Sequence, residues 1–456
     1  MFLPLVFLAV AAEPPSMVAA EALRDRCTES PIAMEVLRSL THEVGPRPVG
    51  TPGMTRARDW AVKKLTALGF KNVHVESFVK RDAWVRGVES ATMTAPYAFP
   101  LAFIGLGNSV PTPAGGVDAE LRVFRSLEEL EAAPRGSLTG KIALVNQPMT
   151  RTQDGEGYGA AVKVRGVGAS LAAARGAVAF LTRSVATGGG RAPHTGAMRY
   201  DDDAPRIPAA ALGVSDADLL ARLAARGAVR LSLSMASTVI AEAPAFNIVG
   251  EIPGANPRGD TLLIGAHLDS WDPGQGAVDD GAGVAITIAA AKLLGEGPKL
   301  KRGLRVVLFG SEETGGSSDA YAAAHVDELP RLALAAESDS GAGPLYRLAL
   351  PDGVAGDPAL FGLATALAPL GIFVARGPAE HGGADIDGLQ KAGVPIIDFG
   401  ADATHYFDIH HSADDTFDKV RGIDVNQSVA GWAVLLYFLA ESGVDLRPRT
   451  KIARPE

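Results

Sequence analysis

Cysteine is almost absent from the 456 residues: Cys27 stands alone. A single thiol excludes an intramolecular disulfide and any thiolate-rich metal site, so a metal held by this chain must be held by imidazole and carboxylate. Cys27 itself reads as structural. Basic excess is missing too, with 43 Lys and Arg against 52 Asp and Glu and a net charge of −9. No basic stretch is dense enough to neutralise a phosphate backbone, which excludes nucleic acid as a partner. The 52 Gly and 30 Pro together fall short of the roughly 25–30% that marks a disordered chain. Nothing recurs at a period of about 20–50 residues, so a solenoid or propeller is excluded. Several catalytic signatures are also lacking: there is no Gly-x-Ser-x-Gly elbow, no Walker loop and no His-Glu-x-x-His, because His42-Glu43 is followed by Pro46 where the second ligand should fall. Gly274-Gln-Gly-Ala-Val-Asp279 shares two glycines with a dinucleotide fingerprint but ends in an aspartate that would repel pyrophosphate.

What is present begins with a short apolar run, MFLPLVFLAVAAEPPS, with Ala9-Val10-Ala11 ahead of Glu13 and two prolines. It reads as a signal peptide over residues 1–12, too short to span a bilayer, and implies a secreted or periplasmic protein with no membrane span once the signal is removed. Residues Pro31–Leu40 and Thr55–Leu68 have helical apolar spacing, separated by a loop from Gly45 to Gly53 too rich in Gly and Pro to be helical. Asn72–Phe78 alternates as a strand. The texture changes over 117–238, where the strands Lys141–Val145 and Ala177–Leu181 flank a small-residue helix at Ala169–Arg175 among glycine-rich and acidic loops, with no cluster of catalytic-type residues. This block is expected to be an inserted α/β domain. It divides a catalytic domain into residues 28–116 and 239–445, with 446–456 as a tail.

The second half carries continuous apolar runs at Thr261–Ala266, Leu304–Phe309, Leu332–Ala336 and Val394–Ile397, with helical stretches at Gly281–Leu294 and Ala430–Ala440. Strands without polar alternation, separated by helices, predict an α/β fold with a mainly parallel (mixed) sheet flanked by helices. Such sheets place ligands beyond the carboxyl ends of their strands. The residues that follow the first three runs are polar: His267-Leu-Asp-Ser-Trp-Asp272, Ser311-Glu-Glu-Thr314 and Glu337-Ser-Asp-Ser340, with Asp279-Asp280 between the first and second. A lone carboxylate there is ordinarily a solvated charge or a helix cap. Several together repel one another and raise each other's pKa unless a cation sits between them, and a divalent metal pair resolves that repulsion. Four of the nine histidines, His381, His405, His410 and His411, lie late in the chain. His267 and His411 would give each of two metals one imidazole, which suits zinc, and His267-x-Asp269 supplies a carboxylate to orient the ring.

The segment from Gly265 to Gly283, the Glu312-Glu313 pair, Glu337-Ser-Asp339 and His410-His411-Ser412 resemble the co-catalytic zinc exopeptidases related to bacterial leucyl aminopeptidases, and the resemblance runs from about Pro31 to Ala440. It implies a zinc-exopeptidase fold whose middle block is similar to a protease-associated domain. It further implies two Zn2+, with His267 and Asp339 on one, Glu313 and His411 on the other, and Asp279 bridging. His411 is preferred to His410 because it stands four residues before Asp415, as in the family. Glu312 would be the general base and Asp269 a carboxylate behind the ligands that the family counts as catalytic. His381, in His381-Gly-Gly-Ala-Asp385, is similar to a substrate-side histidine, and Tyr406 could serve the same purpose. The implied activity is an exported exopeptidase that hydrolyses dipeptides or removes a terminal residue from short peptides. An aminopeptidase acting on longer peptides, a zinc-dependent glutaminyl cyclase and a non-catalytic ectodomain that keeps the fold are the alternatives. Homodimers are common in the family, so a homodimer is an assembly the resemblance allows.

Overall fold

The computed structural model describes residues 14–256 and 258–447. The expected signal peptide and nearly all of the expected tail lie outside the described residues.

A five-stranded mixed sheet forms the centre, in the spatial order Lys71–Val85, Thr238–Ile252, Gly303–Phe309, Thr261–His267, Leu332–Glu337. The last three strands are mutually parallel, and Thr238–Ile252 is antiparallel to both of its neighbours, Lys71–Val85 and Gly303–Phe309. The apolar runs behave as the absence of alternation predicted, because both faces are covered. Leu262, Ile264, Leu304, Val306 and Leu308 point into the larger core with the helices Ala282–Gly295 and Gly422–Glu441, while Leu263, Val307 and Phe309 meet Tyr321, Ile386 and Leu389 on the opposite face. The helix Ala282–Gly295 is buried all round apart from Lys292 and Gly295, as expected of a helix that is apolar on every side. Gly422–Glu441 is long and apolar enough to cross a bilayer by length and composition, yet most of that stretch is buried in this core. Its Trp432 packs against Phe399 at 4.8 Å between ring centroids.

Two expected elements take a different form. The strand predicted at Asn72–Phe78 continues to Val85, because residues 238–244 of the second long strand pair with its outer half. The run Val394–Ile397 does not enter the central sheet as a strand. It makes one parallel bridge, Ala335 to Ile396, since Pro395 has no N–H to continue a ladder and offers only its carbonyl, which accepts from Ala335 N at 2.8 Å. Regular pairing starts at Asp398, in a small sheet with Leu345–Ala349 and Phe373–Val374.

The chain leaves the central sheet along Lys71–Val85 and returns along Thr238–Ile252. Between them lies an eight-stranded sheet with its own cores on both faces. Its strands include Glu89–Ala95, Phe99–Pro100 and Phe103–Gly105, all upstream of the boundary expected at residue 117. Glu89–Ala95 is placed there by antiparallel pairing with Arg230–Met235, a partner more than a hundred residues away that local patterning does not reveal.

Candidate metal centre

Parallel register sets the chemistry at one edge. His267 pairs with Phe309, and Gly265 with Glu337, so the residues just beyond the three strand ends emerge side by side. His267 closes its own strand, Glu312 and Glu313 follow the second, and Asp339 follows the third. Asp279 comes from a wide turn at Ala277–Gly281, and His411 from the loop before the last helix.

Asp279 occupies the middle. Its Oδ1 is 3.0 Å from His267 Nε2 and its Oδ2 is 3.0 Å from His411 Nε2. Glu313 Oε2 lies 3.1 Å from His411 Nε2, and Asp339 Oδ1 lies 3.8 Å from His267 Nε2. Each oxygen of one carboxylate therefore faces a different imidazole, and each imidazole has a further carboxylate of its own. Among the described residues Glu313 Oε1 is buried without a hydrogen-bond donor, and Asp279 Oδ2 is faced only by the imidazoles of His410 and His411, an arrangement costly for buried carboxylates unless a cation sits among them. A small cavity beside them is walled by Asp279, Glu313, His411 and Trp271. The donor set is all nitrogen and oxygen, as zinc accepts.

Two neighbours could compete for the same role. The ligand atoms of His267, Asp280 and Asp339 lie within 4.8 Å of one another, as do those of Asp279, His410 and His411, and those of His267, Asp279 and Glu313. Asp280, however, is already committed to the backbone: its oxygens accept from His267 N at 3.1 Å and Gly283 N at 3.0 Å. His410 stacks on His411 with ring centroids 3.6 Å apart and its Nε2 is 3.3 Å from Asp279 Oδ2. Burial and the neighbouring His411 charge keep its imidazole well below the usual range.

The electrostatics fit a site built around positive charge. Burial pushes the carboxyls of Glu312, Glu313 and Glu337 up, and Asp339 to about 6. Burial opposes charge on His267 and His411 as well, but Asp269 and Asp279 around the first, and Glu313 and Asp279 around the second, raise both imidazoles well above the ordinary value. Protons thus supply the counter-charge, and a divalent cation would displace them.

Three buried residues hold the ligand loops. Asp269 was expected to orient His267 through its carboxylate, but the nearer partner of His267 Nδ1 is the Asp269 main-chain carbonyl at 3.1 Å, with the carboxylate oxygen at 3.6 Å. The carboxylate instead accepts from Glu312 N at 3.0 Å and Glu313 N at 3.3 Å, tying two strand-end loops together. Asp415 accepts from the amides of Ala277, Val278 and Asp279. Arg47, fully buried, donates to the carbonyls of Leu268, Gln275 (2.8 Å) and Gly276 (2.9 Å). It closes the loop from His267 to Asp279 and places a cation beneath the carboxylates. The sequence signals Arg47 only by its place in the Gly- and Pro-dense segment.

On the expected substrate side, His381 is exposed, and the next residue, Gly382, accepts from Glu337 N at 3.0 Å. The buried group of this segment is Asp385, whose amide donates to Glu337 Oε2 at 2.9 Å and whose carboxylate accepts from Ser317 Oγ. Tyr406 packs its ring over Gly341 and lies 4.9 Å from the His410 ring. Burial, then Asp279 and Asp339, keep its phenol protonated.

The sequence model of peptidase family M28 matches residues 247–432. Carboxypeptidase Q of Mus musculus is 36% identical over 419 residues, covering 91% of this chain and 87% of its own. A crystal structure of a peptidase M28 precursor from Shewanella amazonensis SB2B is 40% identical and superposes with a TM-score of 0.91 over 95% of this chain and 98% of its own. A zinc aminopeptidase from Bacillus subtilis shares the fold at 19% identity and a TM-score of 0.64, over 92% of this chain and 98% of its own.

Proposed function

Because the chain belongs to peptidase family M28 and is accordingly a metallo-exopeptidase, we propose that it is an exported di-zinc enzyme that hydrolyses dipeptides or removes a terminal residue from short peptides. The observation that carries the reading is Asp279, whose two oxygens each face one imidazole at 3.0 Å. In this reading His267 and Asp339 hold one ion, Glu313 and His411 the other, and Asp279 both. When bound, the two ions polarise the scissile carbonyl and make the attacking water acidic. Glu312, next to Glu313 and pushed up by burial, takes the water proton and returns it to the leaving amine. Asp269 fixes Glu312 and Glu313 through their amides, so the base keeps its position while the proton moves. Tyr406 and His381 are assigned to the substrate, Tyr406 as a protonated hydroxyl donor beside the centre. The eight-stranded unit is assigned as a domain inserted in the catalytic one and similar to a protease-associated domain. Export rests on the residues 1–12 pattern.

Three substrates separate the branches: a free dipeptide, an N-blocked dipeptide and an aminoacyl anilide, each with a chelator and with added zinc. The reading expects chelator-sensitive cleavage of the free dipeptide alone. Cleavage of the anilide would move the assignment to an aminopeptidase, and no turnover with zinc bound would overturn it.

A further inference from the structure

His267 and His411 are supported from different places. His267 Nδ1 meets the Asp269 carbonyl, two residues along its own chain. His411 Nδ1 faces the carbonyl of Thr195 at 3.4 Å, and Thr195 N donates back to His411 O at 3.0 Å. Thr195 belongs to the eight-stranded unit. Among the described residues His411 is one of four non-glycine residues with a left-handed backbone, at φ 58°, a conformation that persists only where the surroundings impose it.

Those surroundings are again the inserted unit. Arg151 grips Asp408 with two nitrogens, Nη2 to Oδ1 at 2.6 Å and Nη1 to Oδ2 at 3.0 Å, and also reaches the Thr404 carbonyl. Thr187 donates from Oγ1 to Asp408 at 2.8 Å and from its amide to the Phe407 carbonyl. Ala403 N donates to the Gln153 carbonyl at 2.8 Å. Tyr158 stacks on Phe407 at 4.9 Å and meets His410 edge-on at 5.5 Å. Met149, Ala161 and Val185 share an apolar cluster with Ala403 and Phe407. Thr195 is in turn fixed by its hydroxyl, which donates to the Gly105 carbonyl at 2.8 Å and accepts from Arg86 at 3.0 Å.

We propose that the inserted unit is a working part of the metal centre: Arg151 and Thr195 are positioning residues that hold the loop 402–412 so that His411 Nε2 faces the second ion. The inference rests on the two-ion reading above. The Thr195 carbonyl accepts the Nδ1 proton, which leaves the Nε2 lone pair for the metal. Loosening the grip therefore weakens one ion and spares the other, whereas a purely structural role would change unfolding without separating the two.

The test is Co2+ binding to the chelator-stripped full chain, followed by visible absorption and calorimetry, for the wild type, Arg151→Met, Arg151→Lys and Thr195→Val. Lys141→Ala, at a surface ion pair of the same unit, is the control and binds as the wild type does. The wild type takes up two ions. In Arg151→Met and Thr195→Val the first ion binds as before and the second about 10–100-fold more weakly, with Arg151→Lys in between and activity restored by excess metal. Should Thr195→Val fail to fold, Arg151→Met, at the partly exposed rim, gives the same readout. Two ions bound normally in the variants would overturn this inference alone; fewer than two in the wild type would overturn the two-ion reading and the inference with it.

Discussion

Glu312 and Glu313 are neighbours in the chain with different surroundings. Glu313 contacts His411 at 3.1 Å, while Glu312 is held through its main chain, its amide donating to Asp269 at 3.0 Å and its carbonyl accepting from Gly315 N at 2.8 Å. Glu312→Gln keeps the fold and the metals and is expected to lower turnover by about 10²–10⁴-fold; steady-state kinetics on the zinc-loaded variant checks it, and near-normal turnover would remove Glu312 from the proton path. Cys27 gives a second expectation at this scale. It is fully buried and burial pushes its thiol up to about 12, so a disulfide reagent at pH 8 should label no thiol in the native protein and one after unfolding. The strand-end placement of His267, Glu312, Glu313 and Asp339 was legible because they close or follow continuous apolar runs, whereas Asp279 and His411 come from a turn and a loop, and their roles were read from the family resemblance. Arg47 and Thr195 were not, since they meet backbone atoms far along the chain, and neither was the part of Asp280 in holding the amides of His267 and Gly283.

Elements decide where those residues meet. The loop from His267 to Asp279 has no regular structure of its own, and Arg47 substitutes for it by bonding three of its carbonyls. Arg47→Met leaves buried acceptors unpaired, which costs about 1–3 kcal/mol for each one that cannot re-pair. Urea unfolding of the metal-free protein should show a loss of at least about 2 kcal/mol, and an unchanged midpoint would contradict the closure role. The three parallel strands and the two long core helices were legible from their continuous apolar runs. Val394–Ile397 misled because the run is apolar like the others, and only Pro395 signals that it cannot propagate a ladder. The start of the eight-stranded sheet was hidden for another reason: Glu89–Ala95 is short, is followed by Pro96 and Pro100, and gains its strand character from a distant partner.

For the whole molecule, clustered buried charge links stability to pH and metal. Asp339 is raised from 3.8 to about 6 and Asp385 to about 7, burial being the main cause in both. Above pH 3.8 the folded protein holds protons that the unfolded chain has released, so the metal-free protein loses stability as pH rises through about 6 to 7. His194, held at about 4 by burial, acts in the opposite sense, but only below about pH 6.5. The melting temperature of the chelated protein should therefore be lower at pH 8 than at pH 6.5, while zinc, which binds more tightly as its ligands lose protons, should reverse the order. A chelated protein more stable at pH 8 would contradict the charge cluster.

The edge formed by His267, Asp279, Glu313, Asp339 and His411 is proposed above as a two-ion peptidase centre. The most direct measurement is hydrolysis of a free dipeptide as zinc is added to the stripped protein. No turnover is expected without metal, and activity is expected to reach its full value only at two equivalents. Full activity at one equivalent, or turnover in the metal-free protein, would contradict it.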